Sequence, residues 1–64
     1  MSEYERILIE CRYLLSLNKG YNDLSNRLKV SVDTVYNDLN YKLKEYDTIL
    51  YQRIQKVLKK INNI

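Results

Sequence analysis

Apolar side chains recur every three or four residues through four stretches of this 64-residue chain, a spacing that predicts helices rather than strands. The first helix spans Ser2 to Leu17, the second about Tyr21 to Leu28, the third about Val32 to Leu43, and the fourth about Thr48 to Asn62. No stretch alternates apolar and polar residues for long enough to predict a two-stranded wing. We therefore expect residues 1–64 to form a single all-α domain.

The first helix is predicted to have one apolar stripe and one polar side. The stripe consists of Tyr4, Ile7, Leu8, Cys11, Leu14 and Leu15. We place Arg6, Glu10 and Arg12 on the polar side, where Glu10 lies one turn after Arg6. Because Cys11 falls on the stripe, we interpret it as a core residue and not as a nucleophile.

Polar residues at the helix ends support these boundaries. Ser2 and Glu5 fit a capping box, in which the Ser hydroxyl accepts a hydrogen bond from an early backbone N–H. Gly20 is the only glycine, and it fits either a left-handed helix end or a tight entry into the second helix. Ser31 and Asp47 are the predicted N-caps of the third and fourth helices.

The stretch from Tyr21 to Leu39 predicts a helix-turn-helix. Two short helices joined by a tight turn at Lys29, Val30 and Ser31 would bury its apolar and small residues on one side. These residues are Leu24, Ser25, Leu28, Val30, Val35 and Leu39. A helix-turn-helix presents its second helix to the major groove, so the pattern favours binding of double-stranded DNA. The predicted fold is a small four-helix domain with a central helix-turn-helix and no wing.

Charge is unevenly distributed along the chain. The formal net charge is +3, but residues 1–39 have five basic and six acidic residues, whereas residues 40–64 have six basic and two acidic residues. The positive half follows the predicted recognition helix, where it could neutralise phosphates. The chain has no His, one Cys and no Gly-rich phosphate loop, so we expect no enzymatic activity, metal or cofactor. No apolar run has the length of a membrane span, and we expect a cytoplasmic protein.

The segment LKVSVDTVYNDL resembles a helix-turn-helix of bacterial regulators that reads Leu/Phe-Gly-Val-Ser, two variable residues, Thr-Val or Thr-Ile, two variable residues and Asp-Leu. Its continuation resembles the stage III sporulation transcriptional regulators (type D), in which a Leu and then an apolar last helix follow. The matching positions here are Leu43, Leu50, Ile54, Val57 and Leu58. The resemblance implies a small sequence-specific DNA-binding regulator of spore-forming bacteria or their mobile elements. Lys29 replaces the Gly of the motif, so we expect the turn to survive in one of two forms: a left-handed Lys29, at a cost of about 1 kcal/mol, or a tighter or helical turn.

The predicted recognition helix supplies two groups of candidate DNA contacts. The candidate base contacts are Val32, Asp33, Tyr36, Asn37 and Asn40. The candidate phosphate contacts are Tyr21, Lys29, Ser31, Thr34, Lys42 and Lys44. The resemblance places Tyr36 and Asn37 at the two variable positions that face the groove, and Asn can bond adenine bidentately. Asp38 would repel phosphate, so we expect it to pair with Arg6 or Arg12.

The last helix offers an alternative function. Its apolar stripe has a spacing typical of coiled coils and consists of Leu50, Ile54, Val57, Ile61 and Ile64. Through this stripe the chain could form a homodimer, or it could be a protein-interaction module that docks on a partner or acts as an anti-regulator. The stripe would have no free surface if the core of so short a chain requires it.

Overall fold

The computed structural model describes residues 2–62, which form four helices. Helix α1 is Glu3–Leu17, α2 is Tyr21–Leu28 and α4 is Thr48–Asn62. Helix α3 covers residues 32–46 in three consecutive segments: α-helical Val32–Asn37, π-helical Asp38–Lys42 and α-helical Leu43–Tyr46. Residues 2–62 include no strand, so the predicted all-α fold without a wing is confirmed.

All three predicted side-chain N-caps are present. Ser2 Oγ accepts a hydrogen bond from the backbone N–H of Glu5 at 3.2 Å. Ser31 Oγ accepts one from the N–H of Thr34 at 3.1 Å, and Asp47 Oδ1 accepts one from the N–H of Leu50 at 3.0 Å. Each cap satisfies a backbone donor that has no partner within its own helix, so the polar residues fix where α1, α3 and α4 begin.

Left-handed residues end the first two helices. Lys29 has φ 57° and ψ 43°, so of the two predicted forms of the turn the structure shows the left-handed one. Asn18, with φ 53° and ψ 38°, is the left-handed residue after α1. Gly20 has φ −83° and is the N-cap of α2, so of its two predicted uses the structure shows the entry into the second helix. The turn between α2 and α3 is therefore tight although it contains no glycine.

All four helices contribute to one hydrophobic core. Its buried members are Ile7, Cys11, Leu14, Leu24, Val35, Leu39, Leu43, Ile54 and Leu58. The predicted buried positions of Cys11, Val35 and Leu39 are confirmed. Leu50, Val57 and Ile61 of the α4 stripe pack against this core while partly exposed, and Ile64 lies outside the described residues. No helix within residues 2–62 is long and apolar enough to cross a membrane.

The inward face of α1 differs from the prediction at Glu10. This side chain was expected on the polar side, but it is fully buried. Three members of the predicted stripe are exposed instead: Tyr4, Leu8 and Leu15. The physical reason is the ion pair between Arg6 and Asp38 of α3, with a nitrogen–oxygen distance of 2.8 Å. Since Arg6 lies one turn before Glu10, this contact holds that side of α1 against α3.

The π-helical segment of α3 is a second feature that apolar spacing does not predict. The backbone N–H of Leu43 donates to the carbonyl of Asp38, five residues earlier. In a regular α-helix, side chains five residues apart point in directions about 140° apart. The wider π-helical turn brings such side chains closer to one face. It leaves Asp38, Leu39 and Leu43 all buried.

Candidate nucleic-acid interface

The outer face of α3 carries four of the five predicted base contacts in exposed positions. Val32 is 39% exposed, Tyr36 is 44% exposed, and Asp33 and Asn37 are also exposed. On the opposite side of the helix, Val35 is fully buried. The core therefore holds one side of α3 while the predicted recognition residues face solvent.

Asn40, the fifth predicted base contact, has partners within the protein. Its Nδ2 donates to the Tyr21 hydroxyl at 3.0 Å and to the backbone carbonyl of Tyr36 at 2.9 Å. Its Oδ1 accepts a hydrogen bond from Gln55 Nε2 at 3.1 Å. These bonds join α3 to α2 and α4. Asn40 is thus placed to fix the positions of neighbouring side chains, and its amide is already engaged when no DNA is bound.

Three tyrosines form a connected group on α2 and α3, which we call the tyrosine patch: Tyr21, Tyr36 and Tyr41. The ring centroids of Tyr21 and Tyr36 lie 5.5 Å apart, and those of Tyr36 and Tyr41 lie 6.2 Å apart. Tyr41 is 61% exposed, and it was not among the predicted contacts. Five residues separate it from Tyr36, so helical spacing alone would place the two rings apart; the π-helical segment brings them together.

Four of the predicted phosphate contacts lie near the two ends of α3. Ser31 and Thr34 have hydroxyl oxygens 2.8 Å apart in a mutual hydrogen bond at the start of the helix. Lys29 is exposed in the preceding turn. Near the other end, Lys44 is exposed, and its Nζ lies 5.9 Å from the centroid of the Tyr51 ring. Both lysines have ammonium groups that solvent, or a phosphate, can approach.

Lys42, a further predicted phosphate contact, is paired inside the protein. Its Nζ donates to Glu3 Oε1 on α1 and lies 4.0 Å from Asp38 Oδ1. The hydrogen bond to Glu3 raises the pKa of Lys42 above its usual value. Tyr46 also donates to Glu3, through its hydroxyl at 2.8 Å. Lys42 therefore links α3 to α1, and its charge is largely compensated before any phosphate approaches.

A buried ionic group lies beneath the outer face of α3. Arg6 donates from Nε and Nη2 to the two carboxylate oxygens of Asp38, each at 2.8 Å. Burial alone would raise the pKa of Asp38, but the two hydrogen bonds from Arg6 hold it below its usual value. The expected pairing of Asp38 is confirmed, and Arg6 is its partner.

Glu10 completes this group. Neither of its oxygens accepts a hydrogen bond from a donor within the described residues, and Arg6 Nε lies 3.8 Å away. Burial and, second, the neighbouring Asp38 raise the pKa of Glu10 to about 9. At neutral pH Glu10 is therefore protonated, and its hydroxyl can donate to Asp38. Apolar spacing gave no signal for this residue, because a lone Glu between hydrophobic residues is normally solvated.

Comparison with protein-family models, curated protein sequences and solved structures finds no match to this chain. Its resemblance to the sporulation regulators therefore stays a prediction from the motif. The case for a function depends on the geometry of α2, α3 and the residues around them.

Proposed function

We propose that this protein is a sequence-specific transcriptional regulator that binds double-stranded DNA and places α3 in the major groove. The observation that carries the proposal is the exposed outer face of α3, opposite a buried side and preceded by the tight turn at Lys29. A helix presented in this way has a width that fits the major groove. The resemblance of LKVSVDTVYNDL to sporulation regulators supports the same function.

Base recognition is assigned to the first two turns of α3. Asn37 is the principal candidate, because its amide can bond the N6 and N7 atoms of adenine together. Val32 offers a methyl surface to the methyl group of thymine. Asp33 either accepts a hydrogen bond from the amino group of cytosine or stabilises the helix start, where its negative charge interacts favourably with the helix dipole. Asn40 contributes by holding the Tyr21 hydroxyl, and the ring of Tyr21 packs against Tyr36.

Affinity is assigned to residues around this face, because Asp33 is the only charged residue among the predicted base contacts. Lys29 and Lys44 are exposed near its two ends and are the main candidates for phosphate neutralisation. Lys42 is engaged with Glu3, so we give it a smaller share than the sequence suggested. The remaining positive charge comes from the basic side chains of α4.

The test starts with selection of a preferred duplex from a random-sequence pool, followed by affinity measurements on the selected and a scrambled duplex. Asn37→Ala should reduce the preference between the two duplexes by roughly tenfold, since one bidentate base contact is worth about 1–3 kcal/mol. Lys44→Ala is the matched control, because the loss of a phosphate contact weakens binding to both duplexes alike. If the wild-type protein shows no duplex binding at low salt, the proposal is wrong.

We do not propose the protein-interaction function, because the described residues of the α4 stripe lie against the core. The homodimer that the sequence predicts through α4 would need the same stripe, so the same packing argues against it, and sedimentation of the free protein measures it. The result would also bear on the DNA site, since a dimer favours two symmetric half-sites and a monomer favours one.

A further inference from the structure

We propose that the tyrosine patch contacts the sugar–phosphate backbone of the duplex through neutral hydroxyl groups, with Tyr41 as its outermost contact. This inference rests on the proposed function of α3 and extends it to a residue outside the predicted site. It assigns to uncharged side chains a share of the affinity that the sequence assigned to lysines.

The three rings of the patch form a continuous row. Tyr36 lies between Tyr21 and Tyr41, with centroid distances of 5.5 and 6.2 Å to the two rings. Tyr36 is 44% exposed and Tyr41 is 61% exposed. The patch thus begins on the face assigned to base recognition and continues away from it. A duplex that receives Asn37 in its groove would place the flanking strand beside Tyr41.

The patch is ordered before DNA binds. The Tyr21 hydroxyl accepts a hydrogen bond from Asn40, and Asn40 in turn accepts one from Gln55 of α4. Tyr36 packs on the ring that this network holds, and Tyr41 packs on Tyr36. Immobilising a flexible side chain at an interface costs about 0.5–1.5 kcal/mol, and rings already in contact lose less freedom on binding.

The chemistry of the hydroxyls fits a phosphate oxygen. The proximity of Tyr41, followed by partial burial and the proximity of Tyr21, raises the pKa of Tyr36. A hydroxyl that keeps its proton donates a hydrogen bond to an anionic acceptor, which is the stronger kind of hydrogen bond. A neutral donor displaces no condensed counterion, so its contribution to affinity has little dependence on salt concentration.

The surrounding charges favour a nucleic acid as the occupant. Asp38, which lies between Tyr36 and Tyr41 in the sequence, is buried and paired with Arg6, so it does not repel phosphate at the surface. Lys44 is exposed and follows Tyr41 by one turn. The chain from residue 40 onward has six basic and two acidic residues. This balance complements a polyanion better than it complements a second copy of the same chain.

The experiment measures fluorescence anisotropy of a labelled mixed-sequence duplex over a series of salt concentrations. A mixed sequence is suitable because backbone contacts do not depend on the bases. Tyr41→Phe should weaken binding by roughly tenfold at every salt concentration and leave the salt dependence unchanged. Lys44→Ala should instead reduce the slope of log affinity against log salt by about 1.

The matched control is Tyr4→Phe. Tyr4 is also an exposed tyrosine in ring contact with another, Tyr46, at 4.7 Å, but it lies on α1. The Tyr4→Phe variant should bind the duplex with the same affinity as the wild type. If the wild-type protein binds the duplex and Tyr41→Phe binds it equally well, the inference is wrong while the proposed function stands. If the wild type does not bind, both fail. If Tyr41→Ala changes sedimentation of the free protein and leaves DNA affinity unchanged, the patch is a protein interface.

Discussion

Replacing Glu10 with Gln should stabilise the protein at neutral pH, because the wild-type carboxyl must take up a proton to occupy its buried site. Burial, followed by the neighbouring Asp38, raises the pKa of Glu10 to about 9. Gln has nearly the same shape and is neutral at every pH. Its amide N–H can donate to Asp38, as the hydroxyl of a protonated Glu10 can in the wild type.

The magnitude follows from the two pKa values. A carboxyl that titrates at 4.5 in the unfolded chain and at about 9 in the folded protein stabilises the fold fully below pH 4.5, and this stability is lost as the pH rises towards 9. The slope in this window is about 1.4 kcal/mol per pH unit, which gives a formal cost of about 3 kcal/mol at neutral pH. Relaxation of the protein and penetration of water around a buried charge reduce this value, so we expect Gln to add about 1–3 kcal/mol. A chain of this length has a total stability of roughly 3–10 kcal/mol.

Urea unfolding followed by far-ultraviolet circular dichroism at several pH values tests this reasoning. The free energy of unfolding of the wild type should fall as the pH rises from 4.5 towards 9, and that of Glu10→Gln should change much less. The pKa of Asp38 is lowered from 3.8, so its contribution to the free energy of unfolding is complete above pH 3.8 and is lost only at lower pH. Asp38 therefore does not titrate between pH 4.5 and 9. Glu45→Gln, at an exposed carboxyl, is the control. Parallel curves for wild type and Glu10→Gln, or a less stable Gln variant at neutral pH, would refute the argument.

Two further substitutions test the ion pair and the turn. Arg6→Met should lower the free energy of unfolding by roughly 3 kcal/mol in urea titrations, because buried Asp38 loses both of its 2.8 Å donors. Adding Asp38→Leu should recover most of this loss, and a double variant as unstable as the single one would contradict the assignment. Lys29→Gly should raise stability by about 1 kcal/mol in thermal unfolding, because φ 57° strains a residue with a Cβ. An unchanged melting temperature would show that Lys29 is not strained.

The helices, their caps and most of the core could be predicted from the sequence, because these features depend on local spacing. Ser31 and Asp47 each cap a helix through a backbone N–H three residues away, and such short-range contacts are visible in the sequence. The burial of Glu10 could not be predicted, because its cause is a contact between Arg6 and Asp38, 32 residues apart. Leu8 and Leu15, which apolar spacing places on the buried stripe, are exposed instead.

The candidate site divides in the same way. The outer position of Asn37 follows from regular helical spacing, and the structure leaves it exposed. The contact between Tyr36 and Tyr41 depends on the π-helical segment, for which the residue pattern gives no signal. The engagement of Asn40 depends on Gln55 of another helix. Predictions from spacing are thus reliable along one helix and fail where a side chain bonds to a distant one.

The pairing of polar side chains on α3 also changes how the net charge of the sequence relates to affinity for DNA. Lys42 contributes to the positive half of the sequence, yet Glu3 and Asp38 take up its charge within the protein. The positive charge that a DNA strand meets beside α3 is therefore smaller than the sequence count implies, and lysine contacts alone would give weak binding. On the proposed function, hydroxyl donors such as that of Tyr41 must then supply a larger share. Binding with this balance would depend less on salt than the six basic residues of the C-terminal half suggest.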